Sequence, residues 1–450
     1  MYSFTLNPTL FAGTRILFAS LAADGHFNPL TGLALHLKEL GYEIGWYVGS
    51  AFEAKVRDMD IRYFPQKHAL DVTADNLNEY FPQRQHTKSG VPRLCFDLEH
   101  FFIRRMPGFY ADVQEIHQQF PFDLVIADMS FTAIPLIKEK MKIPVISIGI
   151  IPIAETSRDL APMGLGMTPS NSWAGRLKQN FLRWFADKVL LRKPMKVLDE
   201  LLGAEGLQRD GNLFDTLYRK STLILQSGTP GFEYQRSDLN PKVRFIGPLL
   251  PAPSRKARKP WTDARLHQYR KVILCTQGTA EADVEKLIVP TLEAFKDTDH
   301  LVVVTTAGNQ TEELRRRYPQ TNVIIEDFIP FADIMPHCDV YVTNGGYGGT
   351  LLGIQHKLPL VVAGVNEGKN EICARVGYFK LGVNLKTETP IPAQVRAAVL
   401  HVLNDRSYKK NVSKLATEFA QYNPQQLCAQ YVEQLLARTK SQAARAAIYV

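Results

Sequence analysis

The stretch Val340–Val376, VYVTNGGYGGTLLGIQHKLPLVVAGVNEGKNEICARV, decides the fold. The run Asp339–Thr343 stops at four glycines in five positions, Gly345, Gly346, Gly348 and Gly349, and a helical pattern begins at Thr350. This is a strand, a tight turn and a helix N-terminus. Glycines let the backbone approach a ligand, and the first free N–H groups of the helix, with its dipole, suit a phosphate or diphosphate. Pro359–Ala363 reads as a second buried strand, and the polar loop Asn366–Glu371 leaves it on the same edge. In a parallel sheet, such consecutive loops face the crevice where ligands bind. Taken alone, the glycines fit a turn without a ligand equally well, so the rest of the chain carries the decision.

Outward from this stretch, the same alternation repeats. Lys271–Thr276 precedes the turn Gln277-Gly278-Thr279 and a helix to Phe295, and Leu301–Thr305 and Val323–Asp327 are further strands. In the first half, Arg15–Leu21 leads through AADGHFNP to Pro29, which suits a first helical turn. Leu30, Leu33, Ala34, Leu37 and Leu40 then recur at helical spacing until Gly41. Glu43–Val48, Ile61–Phe64, Asp123–Ala127, Val145–Ile150, Ser221–Gln226 and Val243–Ile246 follow as strands, with helical patterns over Val91–Gln119 and 134–140. Strands alternating with helices predict an α/β protein of two doubly wound, parallel-sheet domains. The Pro-rich basic piece Gly247–Trp261 separates them. The expected division is a first domain over 1–246, a linker over 247–262, a second domain over 263–437 and a frayed tail over 438–450. Helices at Pro392–Leu403 and Ser407–Arg438 close the chain, the last one free to return to the first domain.

A chain of 450 residues fits two cores better than one. Its 53 Lys and Arg against 45 Asp and Glu give a net charge of +8, which favours anionic ligands. No dense basic run interleaves with aromatics, so a nucleic-acid groove is not expected. Cys95, Cys275, Cys338, Cys373 and Cys428 are scattered and never form a CxxC pair, which points to a reduced cytoplasmic protein without structural zinc. Met1–Gly13 lacks signal-peptide features. The longest apolar run, Ile143–Ala154, is broken by Pro144 and Pro152 and falls short of the roughly 20 residues that cross a bilayer.

Two stretches stand apart. Pro65–Gly90 has little periodicity, as functional loops often do. Asn171–Leu191 sets Trp173, Leu177, Phe181, Trp184, Phe185 and Leu190 among Arg176, Lys178, Arg183 and Lys188. A basic amphipathic helix can touch a membrane surface. The favoured reading puts these aromatics in the core or a hydrophobic pocket, without membrane contact.

Two facing Rossmann-like domains bring the carboxyl edges of two sheets together across a cleft. His26 lies in the loop after the first strand, and Asp128 follows the strand FDLVIA, on the same edge. A histidine titrates near neutrality and accepts a proton from a hydroxyl, and a carboxylate behind it fixes the tautomer. Such a general base is worth roughly 10²- to 10⁴-fold.

Together GHFNP, DLVIAD, LCTQGT, EDFIPFADIMPHCDVYVTNGGYGGT and ARVGYFKLGVNL resemble the family 1 inverting glycosyltransferases, especially the bacterial macrolide-glycosyltransferase-like branch. The resemblance covers nearly the whole chain. It implies the GT-B fold, a nucleoside-diphosphate sugar as co-substrate on the second domain, an acceptor on the first, and no metal or other cofactor. It also implies His26 as base and Asp128 as its partner. Thr276, Gly278 and Thr279 match the family's small-residue turn near the diphosphate. Phe328, with Ile329 beside it, falls where the family stacks the nucleobase.

The departures from the pattern are informative. The family's His-Gly-Gly-x-Gly-Thr turn reads Asn344, Gly345, Gly346, Tyr347, Gly348, Gly349, leaving the Asn344 amide and Thr350 as substitute donors. Leu352 stands where many members hold the ribose hydroxyls with glutamate. Gly368 and Lys369, flanked by Glu367 and Glu371, replace the acidic-Gln pair that holds the sugar. Both changes lean toward dTDP-rhamnose, and Glu367 on the sugar would restore UDP-glucose. Glu285 and Glu293 have the spacing of a retaining pair but lie on the wrong helix. Phe81, Phe101, Phe109 and Trp173 are the candidate acceptor contacts, with Phe102 and Phe181 nearby, for a flat phenol or polyketide such as a flavonoid. A sugar-nucleotide binder without turnover and a GT-B epimerase remain as alternatives; the oligomeric state is not specified by the sequence.

Overall fold

The computed structural model describes residues 13–73, 76–88, 90–250, 260–279 and 281–448. The first sheet holds β1 (Arg15–Ala19), β2 (Glu43–Tyr47), β3 (Arg62–Phe64), β4 (Leu124–Asp128), β5 (Val145–Gly149), β6 (Leu223–Ser227) and β7 (Val243–Gly247). Their order is β3-β2-β1-β4-β5-β6-β7, with every pairing parallel. The second sheet holds β8 (Lys271–Thr276), β9 (His300–Thr305), β10 (Val323–Glu326), β11 (Val340–Thr343), β12 (Leu360–Val362) and β13 (Gly382–Asn384). It runs β10-β9-β8-β11-β12-β13, again all parallel. The two doubly wound sheets read from the sequence are thus present.

The inner strands are largely apolar because both of their faces are covered. Leu17, Ala19, Val125 and Ala127 enter one core of the first domain, while Ile16, Phe18, Leu124 and Ile126 enter the other. The second sheet divides likewise, with Val272 and Leu274 on one side and Ile273 and Cys275 on the other. The last helix, Pro424–Ile448, inserts Cys428, Ala429, Val432 and Leu436 into the first domain's core. It crosses back from the second domain and ties the two together.

Several boundaries differ from the sequence reading. Helix α1 spans Asp24–Glu39, so His26 sits in its first turn rather than in a loop, and Pro29 lies inside it. The helix after β8 starts only at Ile288. Val91–Gln119 is two helices, Val91–Asp97 and Met106–Gln119, joined by a wider helical turn. The closing helix is broken before Pro424 into Arg406–Phe419 and Pro424–Ile448, so the tail continues as helix to Ile448. Residues 251–259 of the proposed linker, and the first twelve residues, lie outside the described ones. Among the described residues no helix is long and apolar enough to cross a membrane.

Candidate active site

In each sheet the order reverses beside the first strand, between β1 and β4 and between β8 and β11. At such a switch point, loops leave to opposite faces and open a crevice. Both halves of the site lie there.

On the first domain, Asp128 ends β4 and is fully buried. Its Oδ2 accepts the Leu21 N–H at 2.8 Å and its Oδ1 the Ser130 N–H at 2.7 Å. His26 Nδ1 lies 3.2 Å from Oδ1. An ionised carboxylate only accepts, so Nδ1 carries the proton and Nε2 keeps its lone pair. The imidazole is 24% exposed, enough to reach a substrate. Next to it, Asp24 bonds Lys55 at 2.8 Å and Asn28 at 3.2 Å, and it also bonds Thr279 of the second domain. Burial pushes the Asp24 carboxyl up, but the Lys55 ammonium and these hydrogen bonds bring it below its ordinary value.

On the second domain, Gly345 has φ +76°, and a Cβ there would collide with Cys373 Sγ. Only glycine fits. Gly346 caps the helix Tyr347–Gln355, and Gly348 has open space where a side chain would stand, so the turn's outer face is free. Gly278 and Thr279 are exposed beside it, whereas Thr276 is buried, its hydroxyl accepting the Gly278 N–H at 3.3 Å. Phe328 is 69% exposed, as a stacking platform requires.

Five assignments are corrected. The Asn344 amide donates to the Gln277 carbonyl and accepts the Gly346 N–H at 3.3 Å, so it braces the two turns instead of pointing a donor outward. Thr350 is fully buried, because the helix already starts at Tyr347 and rotates it inward. The Ile329 side chain is core at 4% exposure. Phe109 is core too, packed on Phe131 at 5.0 Å and edge-on to Tyr47. Trp173 lines no enclosed pocket, being 79% exposed on an outer helix.

Phe81 and Phe101 do come together, ring centroids 4.8 Å apart, with the Arg84 guanidinium 5.6 Å over Phe101. Arg84 is held by Asp97, chiefly this bond raising its pKa, and the Glu367 carboxylate adds to the effect. These aromatics therefore lie near the loop after β12. In that loop Glu367 is exposed and pairs with Lys369 at 2.7 Å. Lys369, with Gln277, Asn344, Lys286 and Glu388, lines a cavity of about 240 Å³ beside the glycine turn. Gly368, at φ +77°, starts the helix Lys369–Tyr378.

Some residues escape sequence reasoning. Glu388 Oε1 accepts the Asn366 N–H at 2.9 Å and so fixes the loop. Tyr347 Oη donates to the Ser227 carbonyl across the domains at 2.8 Å. Arg375 is buried and binds Glu233 of the first domain through Nε at 3.0 Å and Glu371 at 3.2 Å. Arg375 lies in the quoted ARVGYF motif and is an arginine amid apolar residues, the one available signal.

The family described as Erythromycin biosynthesis protein CIII-like, C-terminal domain, matches residues 290–435. The chain is 35% identical over 410 residues to 4'-demethylrebeccamycin synthase of Lentzea aerocolonigenes, covering 91% of this chain and 96% of that one. It is 29% identical over 443 residues to UDP-glycosyltransferase 2 of Phaeomoniella chlamydospora, covering 95% and 96%. The crystal structure of the glycotransferase of kitacinnamycin aligns with a TM-score of 0.73 at 18% identity, over 94% of this chain and 99% of that one. With two facing parallel sheets and this relationship along nearly its full length, the chain belongs to the family 1 glycosyltransferases of GT-B fold, in their bacterial macrolide-type branch, and is a glycosyltransferase.

Proposed function

We propose that the protein moves a sugar, with inversion and without a metal, from a nucleoside-diphosphate sugar to a hydroxyl of a hydrophobic small molecule such as a flavonoid or other polyphenol. The observation that carries this is the His26–Asp128 contact of 3.2 Å at one switch point, with the open glycine turn at the other. His26 Nε2 takes the acceptor proton as the oxygen attacks the anomeric carbon, and the resulting imidazolium is stabilised by Asp128. The diphosphate leaves from the opposite face. Its growing charge meets the outward N–H groups of the turn at Tyr347 and Gly348, and the Thr279 hydroxyl reaches it on turning away from Asp24. Lys369, next to that turn, supplies the cation that the missing imidazole at Asn344 would have offered. Phe328 stacks the nucleobase, and Phe81 and Phe101 receive the acceptor ring.

For the donor, Leu352 accepts no ribose hydrogen bonds, which favours a deoxyribose donor, dTDP-rhamnose in this reading. The name of the UDP-glycosyltransferase relative keeps a UDP-sugar as the rival, UDP-glucose in this reading. An unpaired buried polar group costs about 1–3 kcal/mol, which biases the choice of donor without naming one. The test is a panel of dTDP- and UDP-sugars with a phenolic acceptor, reading glycoside formed. His26→Ala is expected to lower turnover at least about 100-fold while leaving donor affinity within about twofold. Full activity in that variant refutes the base assignment.

A further inference from the structure

The helix Trp173–Phe185 is amphipathic in the reverse of the usual sense. Trp173, Leu177, Phe181 and Trp184 are 79%, 54%, 58% and 56% exposed. At 100° per residue these four fall within an arc of about 80°, a single stripe along the outside of the helix. The side facing the protein is the polar one. There Gln179, almost fully buried, donates to the Thr168 carbonyl at 3.3 Å, and Arg183 donates to the carbonyls of Leu160 and Arg158. Val189 on the next turn and Leu165 on the loop beneath are also exposed.

The charge around this stripe names its partner. On the helical wheel, Arg176 lies to one side of the stripe and Lys178 to the other, both exposed. Lys188, Arg192, Lys193 and Lys196 follow, and Trp173–Lys196 holds a single acidic residue, Asp187. An apolar stripe with indoles at both ends, bordered by cations, is the chemistry of a helix lying in the headgroup region of a bilayer.

We propose that this helix docks the enzyme on an anionic lipid surface, its apolar stripe in the acyl boundary and its cations on the headgroups. The loop that it covers, through Leu160, Met163 and Met167, lines a cavity of about 380 Å³ against Glu371 and Arg375 of the second domain. Docking thus sets this loop of the interdomain gap beside the lipid, where hydrophobic molecules partition. The inference is independent of which sugar is moved.

The test mixes the full-length protein with vesicles of equimolar phosphatidylglycerol and phosphatidylcholine, or of phosphatidylcholine alone, and reads co-sedimentation and tryptophan emission. Binding to the anionic vesicles, weak binding to the neutral ones, release by high salt and a blue shift are expected, since Trp173 and Trp184 are exposed while Trp46 is already buried. Leu177→Ser/Phe181→Ser/Trp184→Ser should weaken binding at least about 100-fold. Arg176→Glu/Lys178→Glu should weaken it at least about 25-fold, from two lost cationic contacts, with Tm unchanged. Wild-type protein that stays in the supernatant overturns the proposal, as does equal sedimentation of the charge-reversed variant. A concentration-dependent dimer that the serine variant dissolves, without lipid binding, also overturns it and makes a second copy the occupant.

Discussion

Replacing Asp128 by asparagine changes no volume, yet it should disable the site. The carboxylate meets three donors: the Leu21 N–H at 2.8 Å on Oδ2, and the Ser130 N–H at 2.7 Å and His26 Nδ1 at 3.2 Å on Oδ1. An amide has one oxygen. If that oxygen takes the Oδ1 position, the NH₂ group faces the buried Leu21 N–H, and a neutral oxygen in place of the carboxylate no longer stabilises the imidazolium that proton transfer creates. If it takes the Oδ2 position, the NH₂ group faces Ser130 and His26, and the imidazole turns its Nδ1 lone pair to it. Nε2 then carries the proton and no base remains. Either orientation leaves a buried donor unsatisfied, a cost of about 1–3 kcal/mol. At about 2–4 °C per kcal/mol for a domain of this size, Tm should fall by roughly 2–12 °C. Turnover should fall roughly 10²- to 10⁴-fold, the contribution of a general base. Initial rates, thermal melting and a donor titration, made on Asp128→Asn, His26→Ala and the double variant, separate the two effects. If the two residues act as one device, the double variant is no slower than the slower single one. Turnover within about threefold of wild type in Asp128→Asn, or losses that multiply in the double variant, would refute the reasoning.

Two further outcomes test the donor side. Gly345→Ala forces a side chain into left-handed backbone and against Cys373 Sγ, so about 1–2 kcal/mol of backbone strain adds to a clash with a buried atom. Donor Kd, by calorimetric titration, should rise more than about tenfold, and an unchanged Kd would mean that the turn does not hold the diphosphate. Burial raises the Glu388 carboxyl, but the N–H groups of Asn366 and Val365 and the Lys286 ammonium bring it below the ordinary 4.5. A depressed folded value means that the loop anchor is present above pH 4.5 and is lost as pH falls through that lower value. Donor affinity of the wild type should therefore drop on acidification below pH 4.5, and Glu388→Gln should show weakened affinity already at pH 7; equal affinity at pH 7 would exclude the anchor.

The fold was legible because parallel strands buried on both faces leave continuous apolar runs, and Ile16–Ala19 and Val340–Val342 are such runs. The two switch-point turns were legible for the same reason, as breaks in those runs. Local signals failed where a distant group decides. The helix before Phe295 begins where Gln277 Oε1 accepts the N–H groups of Leu287 and Ile288, a cap about ten residues away that no local motif marks. Helix α1 starts at Asp24 without any side-chain cap at Ala23, so no capping residue in the sequence announces it. Period alone also does not tell inside from outside: Phe109 and Phe181 both recur at helical spacing, but one is core and the other 58% exposed. The cations on both flanks of the Phe181 stripe were the available discriminator.

The domains must also be held in register, and the buried ionic cluster between them does this. Arg375, 2% exposed, faces two carboxylates, Glu233 of the first domain and Glu371 of its own helix, and lies 4.1 Å from the centre of the Tyr234 ring. Glu233 also accepts the Ile153 N–H at 2.9 Å, and Glu371 accepts the N–H groups of Gly164 and Gly166, each at 2.8 Å. Such a cluster adds little net stability, because desolvation offsets most of the Coulomb gain. Its value is directional. The bonds of Arg375 to Glu233 and of Glu371 to Gly164 and Gly166 cross between the domains, so sliding one sheet past the other breaks several at once, whereas an apolar contact would tolerate the slip. The helix that carries Arg375 begins at Gly368 and Lys369 in the donor loop, and Gly164 and Gly166 belong to the loop beneath the exposed amphipathic helix. Arg375 and Glu371 thus fix the loop after β12 relative to the loop beneath the amphipathic helix, which is the alignment that the proposed in-line displacement demands.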